Sequence, residues 1–158
     1  MALIDEIRAK SAQLNKLILL PEATEERNLK AAADLTAKNY SRVGLVGPKA
    51  EIEANAKKFG ADISKCVIID PATDANKAAY TKAYFEMRKS KGVTEDQAAQ
   101  LMLDPIFYAA MCVKQGSAEG YVAGAEHATA DTWRPALQII KTAPGIKSAS
   151  SFFMMIMP

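Results

Sequence analysis

The sequence predicts an open α/β fold, three layers deep, in which a mostly parallel sheet is covered on both faces by helices. Three observations carry this expectation. Short apolar runs of strand length, bounded by Pro, Gly or Asp, alternate with longer segments whose apolar residues recur at helical spacing. The two-residue turns that antiparallel hairpins need are missing between successive strands. The chain has 158 residues, 49% hydrophobic and 24% charged, enough for one core without disulfides or a structural metal.

Leu3, Ile7 and Leu14 fall near helical spacing, so residues 2–14 read as an amphipathic helix with its charges outward. Residues 16–20 are short, apolar and stopped by Pro21, as a strand buried on both faces would be. Thr24 is expected to cap the next helix, with Glu25 and Glu26 at its positive dipole end and Leu29, Ala32, Ala33 and Leu35 facing inward. Residues 43–46 form a second strand. Pro48 suits the opening of a helix over 49–59, and Gly60 suits its end. Residues 66–69 form a third strand, followed by a helix over 76–89 with Tyr80, Tyr84 and Met87 on one stripe. Thr94 and Gln97 have capping-box spacing and start a helix through Leu103, and Pro105 begins another that stops near Gly116. Residues 120–124 are the fourth strand candidate, residues 132–140 a helix with Pro135 in its first turn, and residues 150–157 a fifth strand.

Twenty basic and eighteen acidic residues leave a net charge of +2, which argues against a basic arm for nucleic acid. The longest unbroken apolar run, Phe152 to Met157, is far below the roughly 18 to 20 residues that a membrane helix needs. Asp5 and Glu6 interrupt the only apolar start, so no secretory signal is expected, and Cys66 and Cys112 form no CxxC pair. A reduced, cytoplasmic setting is the expectation. The turn-rich stretch 142–148 is read as a boundary between a first α/β domain, residues 1–145, and the opening strand of a second, residues 146–158. Ending on an apolar run, the chain is expected to be truncated, with its first domain short of C-terminal elements.

In such sheets ligands sit beyond the carboxyl ends of the strands, which directs attention to residues 21–27, 70–74 and 124–134. Neither GxxxxGK[ST] nor GxGxxG occurs, so nucleotide-loop readings lose their main support. Gly116, Gly120 and Gly124 are read as turns and close strand packing. The segment from Gly124 to Arg134 is the densest polar stretch, and its N–H groups, hydroxyls including Thr129, and Arg134 suit a phosphate or carboxylate. The same residues read equally well as a helix cap by Thr129, Asp131 or Thr132. His127 is the one histidine and adjoins Glu126, so no metal is expected there, and its role is structural hydrogen bonding or proton transfer. Cys66 and Cys112 are read as core thiols. Arg27, Arg88 and Arg134 are read as convergent anion contacts or as separate surface charges.

The run from Gly120 to Ile140, together with Leu20-Pro21-Glu22 and Arg27, Tyr84 to Lys89 with Gly92-Val93-Thr94, and Ser150 to Met154, resembles the acetyl and butyryl phosphotransferase family, phosphate acetyltransferases above all. The resemblance extends over essentially the whole chain, with departures at Glu126 and Trp133. It implies an isocitrate/isopropylmalate dehydrogenase-like fold and reversible acetyl transfer between coenzyme A and inorganic phosphate, giving acetyl phosphate. No bound cofactor is implied, since coenzyme A and acetyl-CoA are substrates. It further implies a longer, two-domain homodimer with the active site between domains. Arg27, Arg88 and Arg134 match the family arginines that hold coenzyme A and phosphate, and Thr129 is placed with them. The catalytic groups are expected in a second half not present in this sequence, so the chain alone is expected to be inactive. The alternatives are butyryl transfer and a non-catalytic domain that binds coenzyme A or phosphate.

Overall fold

In the computed structural model, which describes residues 2–151 and 153–155, the sheet is built outward from β1 (Leu17–Leu20). On one side β1 pairs in parallel with β2 (Arg42–Val46), which pairs in parallel with β3 (Val67–Ile69). On the other it pairs in parallel with β4 (Gly120–Tyr121), giving the order β3-β2-β1-β4. The helices are α1 (Ala2–Leu14), α2 (Glu26–Ala37), α3 (Lys49–Phe59), α4 (Lys77–Arg88), α5 (Glu95–Leu101), α6 (Pro105–Lys114) and α7 (Thr129–Pro135).

Side chains alternate across the strands and feed two separate cores. Leu20, Val43 and Leu45 pack with Leu29 and Ala32 of α2 and Ile52 and Ala56 of α3. Leu17, Leu19 and Val46 pack with Tyr80 and Tyr84 of α4, Ala98 of α5 and the whole of α6 from Phe107 to Cys112. That α6 is buried almost all round follows from its composition, since a helix apolar on every face has no side to give to water. Its start is fixed by Asp104, whose Oδ1 accepts from the backbone N–H of Ile106 at 2.8 Å and of Phe107 at 3.0 Å, with Pro105 next in sequence. The Thr94–Gln97 capping box forms at the start of α5 as its spacing predicts, and Gly60 ends α3 in the left-handed conformation at φ 67°.

The three-layer parallel architecture is therefore as expected, with local differences. The N-cap of α2 is Glu25 rather than Thr24, because the Glu25 carboxylate reaches the Asn28 N–H at 2.9 Å. Residues 2–14 are helical, yet Leu3, Ile7 and Leu14 stay exposed because no core faces them. α5 stops at Leu101, before Leu103. β3 is an edge strand with Val67 exposed, and Cys66 lies just outside it. β4 ends at Tyr121 instead of Gly124. The helix expected over 132–140 begins earlier, as α7, and continues as a π-helical turn over Ala136–Ile140. Pro135 is the last residue of α7 rather than part of a first turn, and lacking an N–H it cannot continue the regular ladder. The fifth strand is absent among the described residues 150, 151 and 153–155, and Phe152, Ile156 and Met157 of that reading lie outside the described residues.

Gly44 sits opposite Leu19 in the β1–β2 register, and a Cβ there would run into the buried Leu19 side chain. Gly44→Val is expected to destabilise the fold by about 1–3 kcal/mol through overpacking. Urea unfolding followed by circular dichroism should show a lower midpoint with an unchanged slope.

Candidate functional site

Because β1 and β4 are parallel neighbours, the chain leaving each strand emerges at the same end of the sheet. The Val122 N–H still donates to the Leu19 carbonyl at 2.9 Å, after which Gly124, at φ 115°, turns the backbone around the residue that follows Pro21. That residue is Glu22, its side chain wholly withdrawn from solvent. Its Oε2 accepts from the backbone N–H groups of Gly124 and Ala125, both at 2.7 Å. Its Oε1 accepts from those of Glu126 and His127, both at 2.9 Å, and lies 2.8 Å from the His127 ring Nδ1. Burial pushes the Glu22 carboxyl up, but the Glu126 and Ala125 N–H groups, the His127 ring and the His127 N–H outweigh it, and the group titrates at about 2.

Glu25 and Arg27 brace the outside of the same loop. Arg27 Nε donates to Glu25 Oε1 at 2.6 Å, and its NH2 group donates to the Ala125 carbonyl at 2.7 Å. The Glu25 carboxylate raises the Arg27 guanidinium further above its ordinary range. Burial opposes ionisation of Glu25, yet its contacts to Arg27 and the Asn28 N–H hold it below the usual carboxylate range.

Arg88 lies in the last turn of α4, one turn beyond Tyr84, whose hydroxyl donates to Gln138 Oε1 at 2.8 Å. Burial pushes the Tyr84 phenol up, and the neighbouring Arg88 charge pulls it part of the way back. Arg88 Nε is buried and has no hydrogen-bond partner among the described residues. Arg134 is exposed on α7 and lies 3.7 Å from Asp131, while Thr129 is an exposed first residue of α7 whose carbonyl accepts from the Thr132 hydroxyl at 2.9 Å.

Of the four substrate contacts expected from sequence, Arg27 is thus joined to the 124–127 loop, and the three guanidiniums share no partner among the described residues. The N–H groups that the sequence offers to an external anion are taken by an internal one, Glu22. Neither Thr129, Asp131 nor Thr132 caps α7, since the N-cap is Ala128 and no side chain bonds there. Glu22 is the residue that site reasoning passes over. Its signal is faint: an acidic residue directly after a buried strand and a proline.

Cys112 is buried in α6, and burial, with the nearby Asp74 charge, pushes its thiol up to about 12. Cys66 is half-buried and also raised by burial, despite a contact to Thr36. Both are poor nucleophiles for that reason. Among the described residues no group of three or more His, Cys, Asp and Glu side chains is placed to hold a metal ion, and no helix is long and apolar enough to cross a membrane.

Residues 2–158 match the family model described as Phosphate acetyl/butaryl transferase. The chain is 42% identical over its whole length to the phosphate acetyltransferase of Clostridium acetobutylicum and 44% identical to that of Thermoanaerobacterium thermosaccharolyticum, covering 47% and 48% of them. It spans about half the length of these curated relatives. Among solved structures, the EutD phosphotransacetylase from Staphylococcus aureus superimposes with a TM-score of 0.85 at 40% identity, over 93% of this chain and 44% of that one.

With its folded pKa depressed, Glu22 adds stability that is complete above about pH 5 and disappears as pH falls toward 2. The shift corresponds to about 3 kcal/mol. Glu22→Gln is expected to be less stable than the parent by about that amount at pH 7 and by little at pH 2. Urea midpoints measured across that range check this, and parallel curves for the two proteins would contradict it.

Proposed function

The chain belongs to the Phosphate acetyl/butaryl transferase family, and from that premise we propose that it serves reversible acetyl transfer, converting acetyl-CoA and inorganic phosphate to coenzyme A and acetyl phosphate. The observation that carries this reading is the likeness to phosphate acetyltransferases along the full chain. The acetyl group is preferred over butyryl because those relatives are named for acetyl transfer. Coenzyme A enters as a substrate and not as a resident cofactor.

The chemistry asks for three things: a base for the thiol, charge stabilisation at the carbonyl, and a cradle for the leaving phosphate. In this reading Arg27, Arg88 and Arg134, with Thr129, supply phosphate contacts. Arg88 is the strongest of them. A guanidinium nitrogen that is desolvated and unpartnered within the described residues gains most from an anion brought from outside, and its planar fork matches phosphate oxygens. The protein acts in the cytoplasm, where Cys66 and Cys112 remain thiols, and works as a homodimer in its full-length form. The 158 residues by themselves bind the phosphates of coenzyme A without turning over.

Calorimetric titration with coenzyme A tests this. Arg88→Ala is expected to weaken binding about tenfold or more, the worth of one charge-assisted hydrogen bond, with partial recovery in Arg88→Lys. Equal affinities in all three proteins would remove Arg88 from the site. Thioester absorbance with acetyl phosphate and coenzyme A should stay flat with this chain alone, and a steady rise would overturn its assignment as inactive by itself.

A further inference from the structure

Tyr84 is a core residue with a polar atom that packing does not call for. It is 1% exposed, and its ring meets Phe107 edge-on with centroids 5.9 Å apart, a role that a phenylalanine would fill equally well. Its hydroxyl carries one proton, which it gives to Gln138 Oε1 at 2.8 Å, and the oxygen keeps its lone pairs for other donors. One such donor is Arg88, a turn further along α4, whose charge draws the phenol part of the way back from where burial pushes it. Gln138 is itself anchored. It is half-buried within the π-helical turn, next to the fully buried Ile139, and the Lys141 N–H closes that turn on the Ala136 carbonyl at 2.9 Å. Turns of this kind recur at functional sites, and this one brings an acceptor to Tyr84 from 54 residues away in sequence.

We propose that Tyr84 is a positioning residue for Arg88, its hydroxyl held by Gln138 so that the guanidinium is ordered before any ligand arrives. Arg88 Nε is buried and has no hydrogen-bond partner among the described residues, so no bond at that nitrogen fixes the side chain. Order has to come from elsewhere, and the neighbouring Tyr84 oxygen is the group that favours the cation. A loose arginine gives up rotamer freedom when it binds and weakens the complex accordingly, whereas one already ordered has little left to lose. Resting on the function proposed above, the ligand is a phosphate group of coenzyme A. Tyr84 acts on its affinity only through Arg88, because the phenolic proton is committed to Gln138. Pro135, which cannot continue the α-helical ladder, stands directly before the π-helical turn, so the sequence itself fixes where Gln138 is presented.

The link can be read first without ligand. The arginines are Arg8, Arg27, Arg42, Arg88 and Arg134, and in the 15N-labelled chain the Arg88 Nε–H signal is the one that vanishes in Arg88→Lys. In the parent it is expected to be sharp and slow to exchange with water. In Tyr84→Phe, which keeps the ring, it is expected to exchange about tenfold faster or more, as local opening becomes easier. An unchanged Arg88 signal in that variant would overturn the positioning role. Gln138→Leu removes the acceptor at a half-buried site and should move the signal in the same direction, so it decides the matter if Tyr84→Phe does not fold. Calorimetric titration with coenzyme A comes second. Tyr84→Phe is expected to weaken binding about threefold to tenfold, the range of one net hydrogen bond. The double variant Tyr84→Phe/Arg88→Ala should bind no more weakly than Arg88→Ala alone, since both changes remove one device. Losses that add, as a general loosening of the core would give, would overturn the proposal. No binding by the parent chain would remove the coenzyme A reading above, while the ordering of Arg88 stays decided by the ligand-free spectrum.

Discussion

A single carboxylate buried at the end of the central strand governs how the rest of this sheet edge is organised. Taking an unpaired carboxylate out of water costs several kcal/mol, so Glu22 is tolerable only if its surroundings supply donors in fixed places. Four consecutive backbone N–H groups and one ring nitrogen do so. Residues 124–127 therefore have one acceptable path, with N–H groups turned inward. The Ala125 carbonyl is left for Arg27, which attaches there. Loop, arginine and histidine are all placed by the same buried charge.

The short β4 depends on the same device. Two residues of parallel pairing are too few to hold a strand, and the β1–β4 pair is tied by glutamates at both ends. At the amino end Glu119 accepts from the Leu17 N–H at 2.8 Å and lies 3.6 Å from Lys16. At the carboxyl end Glu22 clamps the loop that leaves β4. The two carboxylates substitute for ladder hydrogen bonds that so short a strand cannot make. They differ in environment, since Glu119 is half exposed and screened by water whereas Glu22 is sealed.

Much of this architecture is legible in the sequence because it is local. The apolar runs at Leu17–Leu20 and Val43–Val46, the Thr94–Gln97 box, Pro105 and Gly60 each act within a few residues, and each sits where its chemistry predicts. The differences share another origin. The apolar pattern of β4 runs on to Gly124, past the point where Glu22 bends the backbone away, so the pattern overstates the strand. Pro135 can stand at either end of a helical turn, and only the tertiary setting puts it at the end of α7. The Glu22 partners lie 102 to 105 residues away in sequence, and no periodicity or spacing rule connects them. Family resemblance picks out both Leu20-Pro21-Glu22 and the 120–140 segment, but it does not say that the two bond to each other.

The resident carboxylate also decides where a second anion can go. A run of inward-turned N–H groups is a natural phosphate cradle, but here it is already filled by an anion that is covalently attached and cannot be displaced by dilution. A phosphate arriving at this edge meets Glu22, Glu25 and Glu126 as well as Arg27, and Arg27 is already engaged by Glu25 at 2.6 Å. To recruit Arg27, an incoming anion has to compete with a carboxylate already in place, so the gain is a difference between two similar bonds. Arg134 has only a long, exposed contact to Asp131, worth about 1 kcal/mol or less, and gives it up cheaply. Arg88 has nothing to give up at Nε, and its cost of desolvation has already been met by the fold. For equal geometry, the net attraction for a phosphate under the function proposed above ranks Arg88 first, Arg134 second and Arg27 last, since Arg27 also holds the loop that carries His127 through the Ala125 carbonyl.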